Sequence, residues 1–260
     1  MFKDQGRYIF SGSALAVSAH LKKPVNDYLT EQTSAVLAPT GGYAVQAREH
    51  INFREIIRTG HVSATVIGDS SEHEHVSTLA TVTVENLDIM GFIKADAIVS
   101  RVAARAPKDG KDGNVMHATK FHFEGSAFYG LKINGKNYEP RLCDPWTDYP
   151  NDPSCRDSDD KKAREVWDRE GKQLLYKVGV DHGYQLAASA AAERHLFCGV
   201  HYPKPGCPFL EFPEFGRIHL GEFDIFRGRA TLTMLRVEFG CAADGDATVC
   251  SSGANGHIGT

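Results

Sequence analysis

The amino-acid sequence predicts a mainly β protein, an antiparallel β-sandwich or barrel that carries one helix-containing insertion. Three observations carry that expectation. Apolar and polar residues alternate with period two in several short segments, turn-forming residues separate those segments, and the spacing becomes helical in one region only. With 42% hydrophobic and 10% aromatic residues among 260, the chain can bury a substantial core, which excludes disorder over most of its length.

Taken in order, Arg7 to Leu21 mixes β-branched, aromatic and small residues and stops before Pro24, which predicts a first strand. Ala38-Pro39-Thr40-Gly41-Gly42 then breaks the chain, an extended run covers Tyr43 to Phe53, and His61 to Ile67 alternates before the turn cluster Gly68-Asp69-Ser70-Ser71. His73 to Glu85 is the returning partner. Val76, Ala80, Val82 and Val84 share one face, and His73, His75, Ser77, Thr81 and Thr83 share the other. Further strands are expected over Phe92 to Ala104, Val115 to Glu124 and Ala127 to Ile133. Asn134-Gly135 is a hairpin turn, because both residues tolerate positive φ, and Lys136 to Tyr138 begins the return.

Asp157 to Lys177 has helical spacing at Ala163, Val166, Trp167, Glu170 and Leu174, behind aspartates that can cap its N-terminus. Tyr184 to Cys198 contains an alanine run but is read as a strand from its β context. A last hairpin runs from Gly216 to Phe226 and, after Arg227-Gly228, from Ala230 to Phe239. The organisation expected is a β domain built from residues 1–141 and 211–250, an insertion over 142–210 and a flexible tail over 251–260.

The 29 basic and 33 acidic residues leave a formal charge of -4, which provides no field to gather nucleic acid or anionic lipid. No stretch approaches the roughly 20 apolar residues of a membrane span, so no transmembrane segment is expected, and Met1 to Phe10 is too polar for a signal-peptide core. The six cysteines fall in three sequential pairs: Cys143 with Cys155, Cys198 with Cys207, and Cys241 with Cys250. Each pair brackets a Pro-, Gly- or Asp-rich segment that reads as a loop, and local bridges would stabilise the fold by roughly 2 to 3 kcal/mol each. Such bridges imply an extracytoplasmic protein, secreted or at the cell surface, with this chain as its mature form.

Val82 to Ser100 (VTVENLDIMGFIKADAIVS), Gly125 to Tyr138 (GSAFYGLKINGKNY), Gly216 to Phe223 (GRIHLGEF) and Ala230 to Gly240 (ATLTMLRVEFG) together resemble the bacterial surface proteins called the choice-of-anchor P family. The resemblance implies an extracytoplasmic, strand-rich fold and no particular reaction.

No GxSxG elbow, HExxH or dinucleotide-binding glycine pattern occurs, so the expectation is a structural or ligand-binding protein that is not an enzyme. Gly130 to Lys136 has phosphate-loop spacing, but Asn137 stands where Ser or Thr is required and the context is a hairpin. The alternative of a metal-dependent enzyme rests on His73 and His75, which two positions apart on a strand could reach one metal ion. With a hairpin loop over Gly68 to Glu72, His75 falls opposite Thr65 and His61 is too far along to join. Glu222 and Asp224 share a strand face and form a candidate acid/base pair. Trp146, Asp148 and Tyr149 in one cysteine-bounded loop, with Tyr202 in another, are candidate ligand-binding residues, since aromatics beside carboxylates can stack on sugar rings and hydrogen-bond their hydroxyls. A glycan or protein partner is expected on that ground. Exposed strand edges add a third reading, a homo-oligomer or self-assembling surface or filament subunit.

Overall fold

The computed structural model describes residues 8–24, 26–71, 74–107, 120–140, 173–174, 209–226, 229–240 and 243–255. The chain begins with β1 (Gly12–Lys23) and β2 (Asp27–Val36), continues through β3 (Gly42–Arg48), β4 (Ile51–Phe53), β5 (Ile57–Thr59) and β6 (Val62–Asp69), and reaches two long strands, β7 (His75–Ile89) and β8 (Ile93–Pro107). Short strands follow: β9 (Lys120–His122), β10 (Ala127–Tyr129), β11 (Lys132–Ile133), β12 (Lys136–Asn137), β13 (Gln173–Leu174) and β14 (Leu210–Phe212). Three long ones close the fold, β15 (Gly216–Phe226), β16 (Arg229–Gly240) and β17 (Asp244–Asn255). Among the described residues there is no helix. The helix expected over Asp157 to Lys177 lies outside the described residues except for Gln173 and Leu174, which are strand, and of the rest of the expected insertion over 142–210 only Phe209 and Leu210 are described.

All pairings are antiparallel, in two sheets. The first has the order β13-β15-β16-β17-β1-β2, with β14 also on β15. The second is centred on β7 and β8. On one side of β7 lie β6, which carries β3, and β5, which carries β4; on the far side of β8 lie β9, β10 and β11, with β12 beyond. The sheets face one another over one apolar core, in which Val62, Ala64, Val66, Val82, Val84, Ile98 and Val102 of the second meet Ala16, Val17, Leu232, Leu235 and Val249 of the first. Buried polar groups join them. Ser100 Oγ lies 3.1 Å from Leu232 O and 2.6 Å from Ser252 Oγ, which satisfies both hydroxyls away from water.

The alternation that builds the first sheet reverses along one line. Leu15 and Val17 pair with Ser251 and Val249, which leaves Ala16 opposite Cys250, and the same registers set Thr33, Met234 and Gly221 in that row. Thr33, Cys250 and Gly221 all have left-handed backbone, with φ of 58°, 59° and 64°. A residue in that conformation breaks the period of two. Consecutive residues therefore turn inward together: Ala16 with Val17, Met234 with Leu235 and Val249 with Cys250 are all buried.

Several expectations need correction. Asp27–Val36 and Asp244–Asn255 are strands that the period-two reading passed over. The run Tyr43 to Phe53 is divided into β3 and β4, and the tail begins later than expected because 251–255 belong to β17. The expected Cys241–Cys250 bridge is absent: Cys250 is a free, buried thiol. The cause is geometric. Gly240, the last described residue before Cys241, pairs with Asp244, and Cys250 stands six residues further along β17, roughly 20 Å at strand rise, against a disulfide Cα separation of about 7 Å at most. Its Sγ points inward, 3.4 Å from the carbonyls of both Val82 and Ile98, and burial pushes its thiol well above the usual range. Cys250 is expected to resist alkylation in the native protein and to react on unfolding; labelling at the native rate of an exposed thiol would contradict this burial. Cys143, Cys155, Cys198, Cys207 and Cys241 lie outside the described residues.

Candidate functional site

Two features stand out on the described surface, a charged cluster on the first sheet and an open edge on the second. The cluster arises from the backbone reversal. His219 and Glu222 are separated by an odd number of positions, so a regular strand would send them to opposite faces. Left-handed Gly221 between them puts both on the outer face, with His219 Nδ1 3.2 Å from Glu222 Oε1.

Arg236, opposite His219 in the register, grips the Glu222 carboxylate through two bonds, Nε to Oε2 at 2.6 Å and Nη2 to Oε1 at 2.5 Å. Its Nη1 donates to Glu238 Oε1, and Nη2 also lies 3.2 Å from His219 Nδ1. His219 Nε2 faces Glu238 Oε1 at 3.4 Å. Arg217 Nε bonds Glu211 Oε1 at 3.2 Å while its guanidinium stands 4.9 Å from the centre of the Phe209 ring. Burial alone would raise the Glu222 carboxyl, but the hydrogen bonds from Arg236 and His219 prevail and hold it down to about 2.

These values decide what the cluster can do. A carboxylate already ionised at pH 3 and held by two guanidinium bonds is a poor acid or base at neutral pH. The arrangement is an ion-pair network clamping β15 to β16, so Glu222 is not available for the acid/base pairing with Asp224. The side chain of Asp224 lies outside the described residues.

The second feature is β3. It pairs with β6 along its whole length, from Gly42 opposite Gly68 to Arg48 opposite Val62, and with no other strand among the described residues. Six of its seven residues are exposed. Tyr43 is 81% and Val45 61% accessible, and Ile67, across from Tyr43 on β6, is 41%. Large apolar side chains on a sheet margin are unusual enough to suggest a contact surface.

The sequence-predicted site residues are not brought together. His75 opens β7, half-buried and opposite Pro107 rather than Thr65, because β6 and β7 pair only as far as Asp69 and Ser77 and the loop is longer than expected. His61 sits beside Glu85, whose amide donates to its carbonyl, about ten residues or roughly 33 Å along the sheet from His75. His73 and the candidate ligand residues Trp146, Asp148, Tyr149 and Tyr202 lie outside the described residues. Among the described residues no group of three His, Cys, Asp or Glu side chains is arranged to hold a metal ion, and no helix is long and apolar enough to cross a membrane. The His219 network went unread in the sequence, although Gly221 between His219 and Glu222 was the available signal.

The family model described as Domain of unknown function (DUF8256) matches residues 8–194. The chain belongs to that family. No curated protein and no solved structure matches it. The matched stretch covers β1 to β13 but not β14 to β17, yet β1 pairs with β17 along most of its length. In this chain the first sheet is completed from outside the matched residues.

Proposed function

We propose that this protein is a non-enzymatic structural or ligand-binding β protein that works outside the cytoplasm, with the sandwich as scaffold and the β3 margin as its contact surface. One observation carries the reading: a regular strand at the edge of the larger sheet with Tyr43 and Val45 in open solvent on one face. The self-neutralised Glu222 cluster supports it from the other side, since the buried Glu222 carboxylate is committed to Arg236 and His219.

The extracytoplasmic part is supported by the resemblance to choice-of-anchor P surface proteins and by the pairs Cys143 with Cys155 and Cys198 with Cys207. The experiment for location is intact mass after alkylation of denatured protein. Two labels are expected without reduction, on Cys241 and Cys250, and four more after it; six labels without reduction would overturn an oxidised, exported protein.

The contact surface has its own test. On a hydrophobic-interaction column the wild-type protein should be retained longer than the Tyr43→Ser/Val45→Ser variant, with thermal midpoints within a degree or two of one another. Co-elution of the two would remove the margin from consideration.

A further inference from the structure

Strands that end a sheet are normally guarded by shortness, charge, proline or a bulge. Most margins of this molecule are guarded in that way. β4, β9, β10, β11, β12, β13 and β14 have two or three residues each. β2 has a register shift opposite β1, left-handed Thr33, and Asp27 paired with Arg54 at 2.6 Å. β3 carries only a left-handed Gly42, φ +99°, at its first position: it otherwise runs seven residues without a break in register, without proline or lysine, and with a single charge at its last position, Arg48.

We infer that β3 is the pairing strand of a symmetric dimer, in which it aligns antiparallel to β3 of a second copy and joins the two larger sheets into one. The inference rests on the contact surface proposed above and names its occupant. A two-fold axis through Val45 sets Val45 against Val45, Tyr43 against Ala47 and Arg48 against Gly42 of the second copy. That register is self-complementary in three respects. The large ring of Tyr43 covers the smallest side chain of the apolar face, and the β-branched Val45 lies diagonal to it, the type of cross-strand neighbour that stabilises sheets. The two arginines stand at opposite ends of the ladder, each across from a glycine that leaves room for it, so like charges do not meet. Faces also match, because residues separated by an even number of positions stay on one side; Tyr43, Val45 and Ile67 of both copies form one continuous apolar surface.

A foreign strand would satisfy the backbone edge equally well but would not explain why large, small and charged positions match under reversal of this segment's own order. The contact is a single strand pair with its flanking side chains, smaller than the roughly 1,200 Å² of a stable interface, so the dimer is weak.

Sedimentation velocity of the full chain from about 10 μM to 1 mM, with Val45→Lys and Val45→Cys beside the wild type, tests this. Expected are a concentration-dependent dimer, at least a tenfold weaker one for Val45→Lys at an unchanged melting temperature, and oxidation of Val45→Cys to a disulfide-linked dimer beyond the wild-type background, because that residue meets its own copy at the axis. A strict monomer at 1 mM would overturn the symmetric pairing while leaving the contact surface to a foreign partner, which the column test probes separately. A dimer insensitive to Val45→Lys and not cross-linked through Val45→Cys would place association elsewhere and overturn it equally.

Discussion

Gly245→Ala is expected to destabilise the protein by about 3 to 5 kcal/mol and to lower its melting temperature by roughly 10 °C. Gly245 has φ of +147°, a backbone open essentially to glycine alone, and a Cβ there would stand 2.0 Å from the carbonyl oxygen of His20 and 2.9 Å from the Cα of Leu21. Both neighbours are main chain of β1, held in register with β17, so relief requires the two strands to part. Gly135→Ala, at φ +73° with open space around it, provides the control: it meets the conformational penalty without the collision and should lose about 1 kcal/mol. Thermal melts of the two variants separate these effects. Equal, small losses would mean that β17 does not lie where the fold places it.

The second large effect concerns the clamp between β15 and β16. Glu222→Gln is expected to lower stability by about 2 kcal/mol at pH 7, and Arg236→Leu by somewhat more, because it leaves a buried carboxylate unpaired beside His219 and Glu238. A carboxyl lowered from its ordinary 4.5 to about 2 corresponds to at most about 3 kcal/mol, reduced here because the Arg236 and Glu238 side chains are 30% and 39% exposed. The sign follows from the direction of the shift. The folded state holds its proton less tightly than the unfolded state, so the stabilisation is complete above pH 4.5 and is lost as pH falls towards 2. The gap between wild type and Glu222→Gln in urea unfolding should therefore close across that window. A gap that persisted at pH 2.5 would show that packing, not charge, makes the difference.

Some strands were legible because their alternation reaches the surface of the sequence unbroken. Val62, Ala64 and Val66 in β6, and Val76, Ala80, Val82 and Val84 in β7, are buried as the period of two requires. The Asn134-Gly135 turn has both residues at positive φ, 49° and 73°. The β7 strand nevertheless runs past its expected end at Glu85, because left-handed Asn86, with φ 49°, shifts the buried set from Val84 to Leu87 and Ile89. A reader following strict alternation stops there.

The strand β17 was hidden for a different reason. It lies between β16 and β1 near the middle of its sheet, yet its inward residues are Ala247, Val249, Cys250, Ser252 and Ala254. Small and polar side chains are what its position demands, since Cys250 meets main-chain carbonyls of the opposite sheet and Ser252 meets Ser100. A central strand that packs against backbone resembles a loop in composition, and two cysteines, Cys241 before it and Cys250 within it, completed the impression of a bridged loop. The charged cluster was hidden likewise: strand parity separates His219 from Glu222, and only the left-handed Gly221 reunites them.

A sandwich sealed through β17 with β3 as its open margin underlies both proposals, and native-state amide hydrogen exchange in dilute solution examines both features at once. The amides of β7, β8, β16 and β17 should exchange slowest, and the outward amides of β3 within the fastest class of strand residues. Amides of β17 exchanging as rapidly as those of β3, or β3 amides uniformly protected in the monomer, would contradict that arrangement.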